Sequence, residues 1–203
     1  MKGIVLAGGL GTRFHPVTTV VNKHLLDVYD EPMIFHPIRT LARAGITEIV
    51  VVTGDEIPQF KRLLGDNIFQ EDLRPYLDAY EHQEKGAKVL LKEVSLEDAR
   101  RFGVAHIEDG RLARVDEKPP QPTSTLVVTG CYLYDARVFD LIRLLMPSER
   151  GELEVSDLNN LYIDDGTMTF DVLRGWWTDA GTPASKLKAS ILVALAKGVT
   201  FQS

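Results

Sequence analysis

A short apolar run, Lys2-Gly3-Ile4-Val5-Leu6-Ala7, passes straight into Gly8-Gly9-Leu10-Gly11. A run of this kind reads as a buried strand, and the glycines after it permit a tight backbone loop. Residues 32–44 carry a helical pattern that stops at Gly45, with Pro37 expected to kink it. A continuous β-branched run, Glu48 to Thr53, follows as a second buried strand. Strand, helix and strand at this spacing form a βαβ unit, which implies a parallel sheet with a right-handed crossover. The chain is therefore expected to be α/β, built on a doubly wound, mainly parallel sheet.

The rest of the chain extends this pattern. Strands are expected at 87–94, 126–134 and 167–173, and a hairpin turns at Asp109-Gly110 between 103–107 and 112–115. Helices are expected near 136–145 and 156–162. The last helix has Thr182 as its cap, Pro183 in its first turn and Gly198 at its end, with Leu187, Ile191, Leu192 and Leu195 as its apolar stripe. At 203 residues, the chain can bury roughly 70% of its unfolded surface in one sizeable core. No repeat or linker composition divides it, so a single domain over 1–203 is expected.

Composition narrows the function classes. With 23 basic and 29 acidic residues the net charge is −6, which argues against a general nucleic-acid or anionic-membrane binder. The apolar runs fall short of a membrane span, and the N-terminal run is too short for a signal peptide. The single cysteine, Cys131, allows no internal disulfide. Together these point to the cytoplasm. The five histidines and Cys131 show no zinc-like spacing.

The glycine loop is the strongest local signal. Its successive N–H groups can point inward as an anion nest. Arg13 adds a planar cation suited to phosphate oxygens. A tight turn without a ligand explains the glycines alone equally well, since the loop is neither a Walker loop nor a dinucleotide fingerprint.

Later motifs shift the balance. Gly8-Gly9-Leu10-Gly11-Thr12-Arg13 resembles the signature of the sugar-1-phosphate nucleotidyltransferases, with the glucose-1-phosphate thymidylyltransferase group as the closest match. Asn22-Lys23-His24-Leu25-Leu26-Asp27 looks like that group's lysine motif, with Asp27 where a proline is usual. Leu64-Gly65-Asp66-Asn67-Ile68-Phe69 is similar to its metal-aspartate motif, and Val115-Asp116-Glu117-Lys118-Pro119 to its sugar-phosphate lysine motif. Val128-Thr129-Gly130-Cys131-Tyr132, Ser148-Glu149-Arg150-Gly151-Glu152-Leu153-Glu154 and Trp177-Thr178-Asp179-Ala180-Gly181-Thr182 follow in the family's order. The resemblance runs from residue 1 to about 197.

The resemblance implies transfer of a nucleotidyl group from a nucleoside triphosphate, dTTP first, to glucose 1-phosphate, with release of pyrophosphate. Bringing two anions together needs fixed cations and a metal on the accumulating charge. By resemblance, Leu6, Gly8, Gly9, Gly11, Thr12 and Arg13 bind the nucleotide, and Arg13, Lys23 and Lys118 serve catalysis. Gly103, Glu117, Lys118, Thr129, Tyr132 and Arg150 receive the sugar phosphate. Asp66 and Asp179 are the carboxylates for Mg²⁺, which usually takes one or two of them plus substrate phosphates. The nucleotide part is then 1–94, the sugar-phosphate part 95–182 and the C-terminal helix 183–198. The family's habit implies a homo-oligomer.

Taken singly, several of these residues have plainer readings. Lys23 and Arg150 suit a solvated surface, Asp66 suits a turn, and Asp179 suits a helix cap. Gly103 suits a hairpin or bulge, and Tyr132 a strand core.

One departure from the family is large. Where the family carries a strand, a base-reading turn and a helix, residues 52–69 here pass almost directly from one motif to the next, so several tens of residues are missing. Lys61-Arg62-Leu63-Leu64 offers too few apolar residues for a buried central strand. The strand before Asp66 is expected to be absent or shortened, with part of the nucleobase wall. The chain also stops soon after the last helix, where the family usually continues. Three readings remain: an active transferase, a sugar-phosphate-binding relic, and a piece of a longer enzyme.

Overall fold

A computed structural model describes residues 2–7, 12–15, 17–19, 23–53, 66–149 and 151–200. The glycines of the expected nest and the junction at 54–65, including the stretch expected to lack a strand before Asp66, lie outside the described residues. The chain packs as two compact units, one of residues 1–74 with 175–203 and the other of residues 75–174. Thus the strand at 87–93 belongs to the second unit and Asp179 to the first.

In the first unit, β1 (Lys2–Ala7) pairs in parallel with β4 (Glu48–Thr53), from Lys2↔Glu48 to Ala7↔Thr53. Between them in sequence come the short antiparallel pair β2 (Asp27–Val28) and β3 (Glu31–Pro32) and helix α1 (Phe35–Arg43). The expected βαβ order is present. Pro37 does not interrupt a helix interior: α1 begins at Phe35, so the proline falls in the first turn, where the amides have no intrahelical acceptor. Gly45 ends the helix at φ 80°, with Gly45 N–H donating to Ala42 and Ile46 N–H to Leu41. That is the left-handed exit glycine favours.

The two strands, expected to be buried, are buried on one face only. Val5 and Ala7 pack with Ile34, Ile38, Leu41, Ile49 and Val51. On the other face Ile4 and Leu6 are 55% and 61% exposed, and Val50 and Val52 are exposed with them. Among the described residues β1 is bonded to β4 alone, so alternation along the strand sends every second side chain to an uncovered face.

Strand β5 (Asn67–Phe69) pairs antiparallel with β11 (Trp177–Asp179), placing Asp179 opposite Asn67. The C-terminal helix α6 (Pro183–Ala196) starts on a capping box, Thr182 with Ser185, and Pro183 stands in its first turn. Its apolar stripe is not the expected one. Ala189 and Val193 pack with Val28, Met33, Ile68 and Ala180, while Leu187, Ile191 and Leu195 are exposed. Residues two apart on a helix stand about 200° apart, so seating Ser185, Ala189 and Val193 turns the bulkier series outward. The cap at Thr182, the bond from Tyr29 N–H to Ser190 Oγ and the Lys197–Asp30 ion pair hold that phase.

The second unit holds a five-stranded mixed sheet in the order β10-β6-β9-β7-β8. Its members are β6 (Ala87–Glu93), β7 (Gly103–Glu108), β8 (Arg111–Glu117), β9 (Leu126–Tyr134) and β10 (Met168–Val172). β10 runs parallel to β6 and the other pairings are antiparallel. The hairpin of β7 and β8 turns at Asp109-Gly110, as the Asp-Gly pair predicts, with φ of 48° and 74°. Helices α2 (Arg74–Glu81) and α3 (Leu96–Ala99) flank β6 in sequence. The helix expected over 136–145 is only α4 (Val138–Leu141) with a 3-10 turn. Helix α5 (Val155–Asp164) covers β8: the Asn160 side chain accepts from Val115 N–H and donates to Val115 O, each at 2.9 Å. Val89, Leu91, Ala105, Leu112, Val115 and Val128 form the core. Among the described residues no helix is long and apolar enough to cross a membrane.

Candidate active site

Each unit gathers a distinct set of candidate groups. In the first, β1 ends where the glycine loop begins, and the Leu6 side chain points to the exposed face. Gly8, Gly9 and Gly11 lie outside the described residues. Thr12–Phe14 forms a 3-10 turn anchored by buried Phe14, which leaves Thr12 and Arg13 exposed. A further 3-10 turn, Lys23–Leu25, buries His24 and carries Lys23.

The Lys23 ammonium lies 2.9 Å from Asp66 Oδ2, with both side chains largely buried. Asn67 Nδ2 donates to the other oxygen, Asp66 Oδ1, at 3.2 Å, and Asn67 Oδ1 accepts from the Trp177 indole N–H at 2.8 Å. Ala180 N–H donates to Asp66 O at 2.8 Å, continuing the β5–β11 pairing past its last rung. That pairing carries Asp179 to Asp66. A methyl built on Gly181 would stand 2.9 Å from Asp179 Oδ2 and 3.5 Å from Asp66 Oδ2. Both oxygens therefore lie within 3.5 Å of one point, and a larger residue at 181 would press on Asp179 Oδ2 while meeting Asp66 Oδ2 at ordinary contact distance.

The charges at this point are defined by their surroundings. Burial pushes the Asp66 carboxyl up, but the charge and hydrogen bond of Lys23, with help from Asn67, outweigh it and hold Asp66 below its ordinary value. Burial, and next the adjacent Lys23 charge, lower His24 to about 4, only partly opposed by Asp66. His24 is thus neutral near pH 7, and the local charges are those of Lys23 and the aspartates. Two hard carboxylates facing one point suit Mg²⁺, which keeps several waters and borrows phosphate oxygens.

In the second unit the groups centre on Glu117. Gly103 pairs with Glu117 across the hairpin. Ser156, in the first turn of α5, donates to Glu117 Oε2 at 2.6 Å, and Lys118 Nζ lies 2.7 Å from Oε1. Lys118 holds φ 44° while its N–H donates to Phe102 O at 3.0 Å. A positive φ on a lysine is strained backbone, of the kind that collects at ligand clamps. A Cβ at Gly103 would meet Ser156 Oγ at 2.9 Å, so the glycine keeps the Glu117–Ser156 pair intact.

Other expected groups sit differently. Thr129 is fully buried and its hydroxyl donates to Leu90 O at 2.9 Å, so its side chain is committed to the sheet. Around it the register of β6 and β9 shifts, from Val89↔Tyr132 to Leu91↔Val128, which re-aims 129–131. Tyr132 is half-buried, packs on the core and lies parallel to Tyr134 at 6.0 Å. Arg150 lies outside the described residues. Asn67, Trp177 and Ser156 were not singled out from the sequence. The first two stood inside quoted motifs, but nothing in a linear pattern signals which carboxylate an amide will serve.

Similarity to known proteins extends along most of the chain. The family model described as nucleotidyl transferase matches residues 2–64 and 59–194, two stretches that overlap at the shortened junction. A glucose-1-phosphate thymidylyltransferase from Neisseria meningitidis is 37% identical, covering 98% of this chain and 84% of that protein. Its alignment runs over 245 positions against the 203 residues here, so several tens of its residues have no counterpart. The protein of the same name from Mycolicibacterium smegmatis is 36% identical, covering 95% of this chain and 82% of its own. A crystal structure from Bacillus anthracis, provisionally assigned to the same enzyme and complexed with a sucrose, superposes with a TM-score of 0.87. It is 40% identical, covering 100% of this chain and 98% of that one. A UDP-glucose pyrophosphorylase complexed with UDP-glucose shares the fold, with a TM-score of 0.83 at 18% identity over 96% and 98% of the two chains.

Proposed function

The chain belongs to the nucleotidyl transferase family, and from that premise we propose that it transfers a thymidylyl group from dTTP to glucose 1-phosphate. An oxygen of the sugar phosphate bonds to the α-phosphorus. The bond from that phosphorus to the bridging oxygen of the β-phosphate breaks, and pyrophosphate leaves. The observation that carries the reading is the convergence of Asp66 Oδ2 and Asp179 Oδ2 on one point, with the Lys23 ammonium beside them.

The residues divide the work by charge. Gly8, Gly9, Gly11 and Thr12 offer backbone N–H groups to the triphosphate, and Arg13 offers a fork of donors. Lys23 neutralises the α-phosphate. Asp66 and Asp179 would hold Mg²⁺, which when bound supplies positive charge for the phosphate oxygens. Lys118 and Arg150 take the sugar phosphate. Glu117, kept in place by Ser156, accepts from sugar hydroxyls, and Gly103 leaves room beside it. Attack needs no protein base, because a sugar phosphate is already ionised at neutral pH. Dimers or higher oligomers in the cytoplasm complete the proposal.

The test is pyrophosphate release from dTTP and from UTP with glucose 1-phosphate and Mg²⁺. Turnover with dTTP above UTP is expected; no turnover with either removes the reading. A second reading draws on the residues missing relative to the Neisseria protein: the chain retains sugar-phosphate binding and has lost nucleobase recognition. Isothermal titration separates the two, because glucose 1-phosphate binding without dTTP binding selects the second.

A further inference from the structure

The two oxygens of Asp66 are treated differently by the fold. Oδ2 meets Lys23 and faces the point shared with Asp179, whereas Oδ1 takes the Asn67 side-chain N–H. An amide can present oxygen or nitrogen in the same place, and a reversed Asn67 would set its oxygen against the carboxylate. Trp177 decides the orientation. Its indole N–H can only donate, and it ends on Asn67 Oδ1 at 2.8 Å, which turns the Asn67 amine toward Asp66. The indole is itself fixed, because Trp177 is buried and pairs with Phe69 on the β5–β11 ladder. Holding one oxygen removes rotation of the carboxylate, so the other oxygen is presented to a cation without further ordering.

We propose that Asn67 and Trp177 are positioning residues that pin Asp66 Oδ1, leaving Oδ2 as the oxygen offered to the divalent cation. This rests on the reading of Asp66 and Asp179 as the carboxylates that hold the metal. Neither residue touches a substrate in this scheme. Their effect passes through the orientation of one carboxylate and is felt in metal affinity before any chemistry.

The test titrates Mn²⁺ alone into the full chain, without nucleotide or sugar phosphate, and follows free Mn²⁺ by electron paramagnetic resonance. Trp177→Phe keeps an aromatic ring and removes the donor; Asn67→Ala removes the amide. Each is expected to weaken Mn²⁺ binding on the order of tenfold, and weakening by less than about threefold in a folded variant overturns the proposal. A role in packing alone would lower the melting temperature and leave Mn²⁺ affinity unchanged, so melting is measured alongside. Should Trp177→Phe fail to fold, Asn67→Ala decides. Asp66→Asn is the control: wild-type Mn²⁺ binding in that variant removes the metal reading itself. Loss there, with Mn²⁺ binding intact in Trp177→Phe, removes only the positioning role.

Discussion

The two compact units place their charge and their apolar bulk in opposite ways. In the first, a two-stranded parallel pair is covered on one face, and its most tightly arranged groups are ionic: Lys23, Asp66 and Asp179. In the second, the strands close over a core of buried aliphatic side chains. There the polar groups serve the fabric. Tyr134 donates to Asn159, Tyr162 donates to Asp135, and the largely buried Lys88 pairs with Asp171 at 2.6 Å. Glu117 and Lys118 stand at the edge of that fabric. The difference teaches that the Asp66 carboxylate is held by a few directed bonds, whereas a polar group within the second core is closed off by its neighbours.

The largest effect should fall on the aspartate pair. Asp179→Asn is expected to lower kcat/KM on the order of 10³, since it removes one of two charges aimed at the same point. An unchanged rate would erase the functional contrast between the units. Next, Leu91→Ala in the second core should cost about 2–5 kcal/mol in denaturant unfolding, while Val50→Thr on the open face of β4 should stay within about 0.5 kcal/mol. Equal costs would mean that the open face is covered in solution.

Lys23→Met sharpens the contrast further. Turnover should fall on the order of 10², yet Mn²⁺ alone should bind more tightly, because Asp66 loses a competing cation. Gly103→Ala should be milder. By crowding Ser156 away from Glu117 it should raise the KM for glucose 1-phosphate about tenfold, the scale of one hydrogen bond to a charged group. Smallest at ordinary pH is a titration effect in the second unit. Burial, and then the charge of Asp135, push Tyr80 up to about 12, and burial raises Tyr134 and Tyr162 as well. Each folded pKa exceeds the unfolded value of about 10, so the stabilisation is whole below about pH 10; that of Tyr80 is lost as pH rises through about 12, and that of Tyr134 and Tyr162 further into alkali. Tyrosinate absorbance and circular dichroism followed together should show delayed ionisation joined to unfolding.

Much of the fold was legible along the chain because its signals are local. The strand–helix–strand order, the exit at Gly45, the turn at Asp109-Gly110 and the cap at Thr182 each depend on a few adjacent residues. The outward phase of α6 was not legible, because side-chain bulk marks Leu187, Ile191 and Leu195, whereas the capping box and the Ser190 and Lys197 contacts decide which face turns inward. The uncovered face of β1 and β4 escaped for a similar reason, since a run of apolar residues does not say how many neighbours a strand will find. The bond from the Thr129 hydroxyl to Leu90 O was equally hidden, since the two residues lie 39 positions apart and on neighbouring strands.

The sequence by itself determined the kinship, the order of the elements and the cast of cations and carboxylates, since these are matters of residue type at short spacing. Only the tertiary structure decided that Asp66 and Asp179, far apart in the chain, lie near a single point, and that Asn67 and Trp177 stand behind one of them. Hydrogen bonds and charges act through space over a few ångströms. Residues more than a hundred positions apart come within that range only when a strand such as β11 returns to lie beside β5.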